Sequence, residues 1–132
     1  MAAALGKFGA RAAPLLRGKV TLDLAPYELG NVIWKQVLLE KRMTVETAEE
    51  RVADLSKILK SMRVVGIGEE GDMKEVMRLA TRANITFYDA SYLYAAMRDA
   101  MTLVTEDRDL GAVARREGVR TKTASQIAKG QG

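Results

Sequence analysis

The chain has 132 residues, of which 48% are hydrophobic and 29% charged, and it carries a net charge of +4 at pH 7. These values predict one folded domain over residues 1–132 and exclude a disordered or fibrous chain. The sequence has no Cys and no His, which excludes thiol catalysis, Ser-His triads, disulfides and the usual zinc and haem sites. Any metal chemistry must therefore use oxygen ligands, which suit Mg²⁺ or Mn²⁺.

Helical spacing of apolar residues predicts an amphipathic helix over residues 3–17, and Gly18 ends it. A short β-rich run follows at residues 19–24, and Pro26 then opens a helix that ends near Arg42. The remaining elements are predicted in this order: helix 44–62, apolar segment 64–67, helix 72–83, helix 89–100, strand 102–106, helix 109–118 and a last short strand at 119–121.

The helix ends carry recognisable capping residues. Thr44 and Asp109 are expected at N-termini, and Asp72 is expected to begin its helix in an Asp-x-x-Glu pattern, whereas Asn84 suits a left-handed C-cap. Helices and short apolar strands alternate along the whole chain, which is typical of an α/β fold with a parallel sheet. Sites in such folds form where the strands end and the following helices begin.

Acidic residues stand at the ends of the most apolar segments. The helix that begins at Asp89 is about 17 Å long at roughly 1.5 Å per residue, and the strand that follows it has a similar length. If the strand packs antiparallel to the helix, Asp89 and Asp107 meet at one edge of the sheet. Two adjacent carboxylates repel unless a cation or proton is present, and a divalent ion fits that requirement.

Each acid also has a simpler explanation. Asp89 could cap its helix, Asp107 could sit in a turn, and Glu28 could interact with the dipole of the helix after strand 19–24. Asp23 is unusual because Asp is disfavoured in strands, and it is either an edge residue or a site residue. We favour a site for the pair Asp89 and Asp107, with Thr105 beside it.

The segments "YELGN", "YDASYLYAA" and "LVTEDRDL" occur in this order, and together they resemble the PIN-domain ribonucleases, especially the VapC-type toxins of toxin–antitoxin pairs. The resemblance implies a three-layer α/β/α fold with a short parallel sheet and a Mg²⁺- or Mn²⁺-dependent endoribonuclease. By motif position, Glu28, Asp89 and Asp107 resemble the metal-site acids, and Thr105 and Asn31 resemble the polar residues that support them. Asp109 is expected to remain a helix cap.

The resemblance also implies partners and a location. The implied partners are RNA as substrate, a cognate antitoxin protein, and a second copy of the chain in a homodimer or higher oligomer. The lack of Cys fits a reducing compartment, and the cytoplasm is the expected location. No apolar stretch approaches the roughly 20 residues that a membrane span needs, so no membrane partner is expected.

The chain departs from the family at its beginning. Family members normally begin with an apolar central strand that ends in an essential Asp, and this sequence is expected to begin inside the helix after it, so the first central strand is expected to be missing. An incomplete set of acids predicts weak nuclease activity or none. The alternative function is a catalytically degenerate PIN-like binding module that keeps only partner binding or dimerisation.

A different motif points to a third function. "GIGEEG" at residues 66–71 matches the Gly-x-Gly-x-x-Gly pattern of dinucleotide-binding folds. Glu69, Glu70 and Asp72 would face the pyrophosphate there, so a flexible turn is the preferred interpretation.

Two further groups of side chains suit RNA. Tyr88 is the better candidate to face substrate, whereas Tyr92 is expected in the core or at a helix interface. At least one of Arg108, Arg115 and Arg116 is expected near the acidic patch, where it would bind phosphate.

Overall fold

The structure, a computed structural model, describes residues 3–5, 19–123 and 125–126. In chain order the elements are β1 (Ala3–Leu5), β2 (Val20–Leu22), α1 (Ala25–Leu38), α2 (Val45–Lys60), β3 (Arg63–Val65), α3 (Glu70–Ala83), α4 (Phe87–Arg98), β4 (Thr102–Val104), α5 (Arg108–Arg116) and β5 (Thr121–Lys122). In this described part of the chain, no helix is long and apolar enough to cross a membrane.

The five strands form one parallel sheet in the order β3-β2-β1-β4-β5. Strands β2 and β4 are buried along their full length, as expected for strands of a parallel sheet covered on both faces. The predicted α/β fold with a short parallel sheet is therefore confirmed.

The centre of the sheet differs from the sequence expectation. Ala3–Leu5 form a strand, so the helix predicted over residues 3–17 is wrong at its start, and residues 6–18 lie outside the described part of the chain. Ala4 is in register with Val20 on one side and with Leu103 on the other. Backbone pairing on both sides outweighs the helix propensity of Ala and Leu, since propensity is a weak prior.

The prediction that the first central strand is missing is therefore wrong, because β1 occupies the centre of the sheet. What is absent is the acid that the resemblance places at the end of that strand. The first Asp or Glu in the sequence is Asp23, which follows β2. The departure from the family thus concerns a side chain and not the architecture of the sheet.

Helix α4 is the most deeply buried helix among those described, and it packs against β1, β2 and β4. Small residues on its inner surface let the helix lie close to the sheet: Ala90, Ser91, Ala95 and Ala96. Tyr92 and Leu93 fill the remaining space and are at most 1% exposed. This packing fixes the position of the acid in the helix's first turn, Asp89.

Most helix caps follow the sequence prediction. Thr44 caps α2, and Asn84 ends α3 in the left-handed conformation with φ 55° and ψ 48°. Asp72 does not begin α3, because the helix starts at Glu70 with Glu69 as its N-cap residue. Asp72 instead lies in the first turn, where a negative charge interacts favourably with the helix dipole.

Candidate active site

Polar residues from two neighbouring regions of the fold lie at the carboxyl edge of the sheet. Asp23 directly follows β2, and Thr105 directly follows β4. Glu28 lies in the first turn of α1, and Asp107 immediately precedes α5. Because all strands are parallel, these strand ends lie at the same edge.

A buried tyrosine connects the acids of the β2 side to helix α4. Tyr92 is 1% exposed, and its pKa is raised well above the ordinary value. Burial is the largest cause, followed by the nearby Glu28 carboxylate and the negative charge of Asp23, whereas Thr21 acts in the opposite direction. Tyr92 therefore remains a neutral hydroxyl, and the carboxylates of Glu28 and Asp23 lie close enough to it to affect its pKa.

Asp89 occupies the first turn of α4, and its residue exposure is only 8%. Its backbone N–H donates to Thr86 Oγ1 at 3.1 Å, so Thr86 is the N-cap of this helix. The simpler explanation for Asp89, that it caps the helix, is therefore wrong. Asp89 and Tyr92 are three residues apart and lie on the same buried face of α4.

Asp107 and Thr105 form a tight turn between β4 and α5. The backbone N–H of Asp107 donates to Thr105 Oγ1 at 3.0 Å, and Thr105 itself is 4% exposed. Asp107 Oδ1 accepts from the N–H groups of Asp109 and Leu110 at 2.9 and 3.1 Å, which makes Asp107 the N-cap of α5. The prediction that Asp109 caps this helix is wrong. The capping bonds use Oδ1 of Asp107, and a carboxylate has a second oxygen for other ligands.

The first glycine of "GIGEEG" has a packing role beside this edge. A Cβ at Gly66 would lie 3.0 Å from Asp23 Oδ2, so a larger residue would displace the aspartate. Arg98 Nη1 donates to the carbonyl oxygen of Gly66 at 2.9 Å and to Asp72 Oδ2 at 3.1 Å. Side chains of the chain itself thus fix this segment, which supports a structural turn and gives no support to a dinucleotide site.

The structure brings the expected residues together only in part. Glu28 lies with Asp23 and Tyr92, and Thr105 lies with Asp107. Within residues 19–123, no three Asp or Glu side chains form a group that could hold a metal ion. Asn31 is exposed, one helical turn after Glu28. The convergence of Glu28, Asp89 and Asp107 therefore stays a prediction.

The chemistry of the donors fits a hard divalent cation, since all three acids offer carboxylate oxygens. Their N-terminal helix positions also fit an anionic substrate, because helix N-termini attract phosphate groups. Sequence reasoning did not identify the proximity of Glu28 and Asp23 to Tyr92. The helical spacing correctly predicted that Tyr92 is buried, but a burial pattern carries no information about which acids lie near its hydroxyl.

Arg115 is the basic residue whose position near the β4 side is fixed. Its Nη1 donates to Thr121 Oγ1 at 3.2 Å, and the same atom lies 3.4 Å from an ideal Cβ at Gly111. That Cβ would also lie 4.0 Å from Thr105 Cγ2. Arg115 and Thr105 both lie beside Gly111 of α5, so Arg115 is near the turn that carries Asp107.

A parallel sheet covered by helices, with acids where its strands end, fits the PIN fold that the sequence predicts. Residues 6–116 match the family described as PIN domain. The chain belongs to the PIN-domain family. The predicted family and the predicted α/β/α fold are confirmed.

Two curated relatives come from Pyrobaculum aerophilum. The chain is 40% identical over 89 residues to the protein named Exonuclease VapC9 and 32% identical over 90 residues to the protein named Ribonuclease VapC3. These matches cover 67% and 68% of this chain but only 62% and 66% of the two relatives, which is less than two thirds of their length. The crystal structure of PAE2754 from the same organism is similar with a TM-score of 0.74 and 28% identity, covering 98% of this chain and 94% of that one.

Proposed function

We propose that this protein is a metal-dependent endoribonuclease of a toxin–antitoxin pair that acts in the cytoplasm. Glu28, Asp89 and Asp107 are the proposed ligands of Mg²⁺ or Mn²⁺, and Thr105 positions Asp107. The observation that carries the proposal is that each acid stands at the N-terminus of a helix: Glu28 and Asp89 in first turns and Asp107 as a cap. Such positions combine metal ligands with a dipole that favours phosphate.

The cation and the carboxylates have different roles in the proposed reaction. A bound divalent cation lowers the pKa of water at the site and stabilises charge that develops on the phosphate and leaving oxygen. The three carboxylates would hold that ion, and the buried surface of α4 around Asp89 limits how far Asp89 can move. No His is needed for this chemistry.

We further propose that cleavage is slow in this chain, because β1 contributes no acid. The sequence has no Asp or Glu before Asp23, whereas the family pattern places one at the end of the central strand. A lost carboxylate reduces the charge that offsets the cation, and small misplacements of reacting groups can lower rates about a hundredfold. Gly6 is the residue that follows β1 in the sequence, so Gly6→Asp is the variant that supplies the acid there.

The decisive assay uses circular RNA with Mg²⁺ or Mn²⁺, because only an endonuclease opens a circle. We expect slow opening by the unaltered chain, faster opening by Gly6→Asp and none by Asp89→Ala. Linear RNA labelled at either end reports exonuclease trimming, the activity named for one of the relatives. Trimming of linear RNA without opening of the circle would contradict the endonuclease assignment, and fast opening by the unaltered chain would contradict the role of the missing acid.

The alternative is a degenerate binding module, and the missing acid and an exposed apolar surface favour it. Helix α1 leaves large apolar side chains exposed, with Tyr27 at 78%, Trp34 at 47% and Leu38 at 56%. The same helix borders a groove of about 530 Å³ that runs between α1, α2 and β3 and is lined by Leu29, Leu55 and other residues. An apolar surface of this kind suits a protein partner.

For either function we propose that this surface takes the cognate antitoxin and that the chain forms a homodimer or higher oligomer. Light scattering coupled to gel filtration measures the oligomer with and without co-expressed antitoxin. Trp34→Glu should block antitoxin capture while leaving the unfolding midpoint nearly unchanged, because Trp34 is already half exposed. A protein that binds antitoxin but neither Mn²⁺ nor RNA would support the binding module over the nuclease.

A further inference from the structure

Tyr88 is an exposed aromatic residue in the first turn of α4, directly before Asp89. Its side chain is 59% exposed, whereas Asp89 is 8% exposed. Single exposed aromatic residues are common on protein surfaces, so exposure alone assigns no role to the ring. What the ring can contact depends on the direction in which the helix presents it.

Tyr88 lies on the side of α4 that is otherwise buried. Residues four apart in a helix differ by about 40° around its axis, so Tyr88 and Tyr92 share a face. Tyr92 is 1% exposed, on a helix that packs against β1, β2 and β4. Ala95 and Ala96, one turn further along, are buried as well. Tyr88 is therefore the exposed first residue of a face whose later residues are covered.

The first turn of α4 lies at the carboxyl edge of the sheet. Only three residues separate the end of α4 at Arg98 from the start of β4 at Thr102, so the helix runs antiparallel to this strand and begins where the strand ends. The helix has 12 residues and the strand 3, which correspond to about 18 Å and about 10 Å. Because the helix is longer than the strand, its first turn extends beyond the strand ends, and the ring of Tyr88 has no strand beneath it.

The acids of the proposed site surround this position. Asp89 is the next residue, and the Cα atoms of neighbouring residues are about 3.8 Å apart. Glu28 and Asp23 raise the pKa of Tyr92, which lies one turn, or about 6 Å along the axis, from Tyr88. The carboxyl edge thus combines acidic groups with one exposed aromatic ring. A nucleotide has the matching pair of groups, a phosphate and a flat base.

We propose that Tyr88 is a substrate-binding residue of the acidic site and that its ring stacks on an unpaired base of single-stranded RNA, beside the phosphate at the acids. This inference rests on the proposed function, because it takes RNA as the substrate of that site. Aromatic side chains bind single strands in this way with little base preference, since every base has a π-face. A paired base is already stacked inside its duplex, so the inference specifies single-stranded RNA.

Fluorescence anisotropy of a labelled single-stranded RNA tests the ring. The whole chain is used in the Asp89→Ala background, which keeps the RNA intact. We expect Tyr88→Ala and Tyr88→Leu to weaken binding about tenfold and Tyr88→Phe to stay within about twofold, because only Phe keeps a ring. Trp34→Ala is the control and should change nothing, since Trp34 is an exposed aromatic residue more than two turns past the start of α1.

Thermal unfolding of each variant checks the fold, and Tyr88→Leu keeps a large apolar side chain in case Tyr88→Ala is unstable. Equal affinity of Tyr88→Leu and Tyr88→Phe would show that the aromatic ring is not required and would overturn the inference.

An RNA that lacks one base separates stacking from other contacts. The abasic residue is placed at each position of the RNA in turn. With Tyr88 present, one position should lower affinity about tenfold, whereas in Tyr88→Ala the same RNA should bind as well as the intact one. Equal losses for the two proteins at every position would overturn the inference. So would an effect of Tyr88→Ala that persists when the complementary strand is annealed.

The salt dependence of binding and the cleavage assay distinguish the remaining failures. Tyr88→Ala should leave the slope of log affinity against log salt unchanged, because stacking releases no counterions. A reduced slope would indicate a phosphate contact and overturn the inference. If Tyr88→Ala binds RNA normally while the unaltered chain opens circular RNA, the inference alone fails. If the chain neither binds nor opens RNA, the proposed function fails with it.

Discussion

The hydroxyl of Thr105 accepts a hydrogen bond from the backbone N–H of Asp107 at 3.0 Å, and this bond joins the end of β4 to the start of α5. The backbone N–H of Thr105 donates in turn to the carbonyl oxygen of Lys122 on β5 at 3.0 Å. The sheet therefore fixes Thr105, and Thr105 fixes Asp107. The orientation of the acid depends on strand pairing through one side chain.

Thr105→Val removes this hydroxyl and keeps the shape of the side chain. The N–H of Asp107 then loses its partner beside a residue that is 4% exposed, so we expect a loss of about 1–3 kcal/mol in the free energy of unfolding. Urea denaturation measures it. Thr105→Ser keeps the hydroxyl and should lose less; a Thr105→Val variant that is as stable as the unaltered chain would show that the hydrogen bond does not stabilise the turn.

Asp107 has two roles that substitution can separate. Asp107→Asn keeps an oxygen that accepts from the N–H groups of Asp109 and Leu110, so stability should change little, whereas Asp107→Ala loses the cap and about 1 kcal/mol. Both substitutions remove the charge, and both should weaken Mn²⁺ binding. Thermal unfolding and Mn²⁺ titration of the same samples measure the two effects. Normal Mn²⁺ binding in Asp107→Asn would show that Asp107 is a cap only.

Arg98 ties the C-terminus of α4 to the "GIGEEG" turn. It donates to the Gly66 carbonyl and to Asp72, and its side chain is only 27% exposed. Arg98→Ala should lower the free energy of unfolding by about 1–3 kcal/mol, because a carbonyl and a partly buried carboxylate lose their donor. The control is Arg78→Ala, which removes an exposed ion pair with Glu75 and should cost less than about 1 kcal/mol. Equal losses would show that the Arg98 contacts are unimportant.

Asp99 gives the protein a dependence on acid pH. The hydrogen bond from Arg98 is the main cause that lowers its pKa in the folded state, so the unfolded chain binds the proton more readily. The resulting stabilisation is present above the ordinary Asp pKa and is lost as pH falls through the lower, folded value. In urea titrations below about pH 4, the unaltered chain should lose stability more steeply than Asp99→Asn. Parallel curves would contradict this assignment.

RNA binding should depend on salt through Arg115, which packs beside the turn that carries Asp107. Arg115→Gln should reduce the slope of log affinity against log salt by about 0.7–1, the value for one phosphate contact. Arg51→Gln is the control, since Arg51 is an exposed residue of α2 with the same charge. Fluorescence anisotropy of a catalytically silent Asp89→Ala background measures both slopes. Binding that does not change with salt would exclude phosphate contacts altogether.

The sequence predicted most helices and the alternation of helices with strands, because apolar spacing reports which face of an element is buried. It also predicted the Thr44 and Asn84 caps, whose geometry depends only on neighbouring residues. The local pattern favours Asp109 as the N-cap of α5, whereas the structure has Asp107 in that position. Either residue suits a cap, and the choice is made by where β4 stops pairing with β5, which a local pattern does not contain.

Two other features could not be predicted from neighbouring residues in the sequence, because both depend on residues that are distant in the chain. Ala3–Leu5 have helix-forming residues, and only their pairing with strands distant in the sequence makes them β1. The proximity of Glu28 to Tyr92 likewise relates residues of different helices. The family resemblance proposes the acids by motif, but it gives no information about which side chains surround them.

The central position of β1 also determines when the molecule can fold during synthesis. Its two neighbours in the sheet are β2, which follows early in the chain, and β4, which follows only after α1, α2, β3, α3 and α4. Pairing between such distant segments forms slowly, because the intervening loop must first be closed. The sheet edge that carries Asp107 therefore cannot be assembled on the ribosome until helices α1 to α4 and strand β4 have emerged.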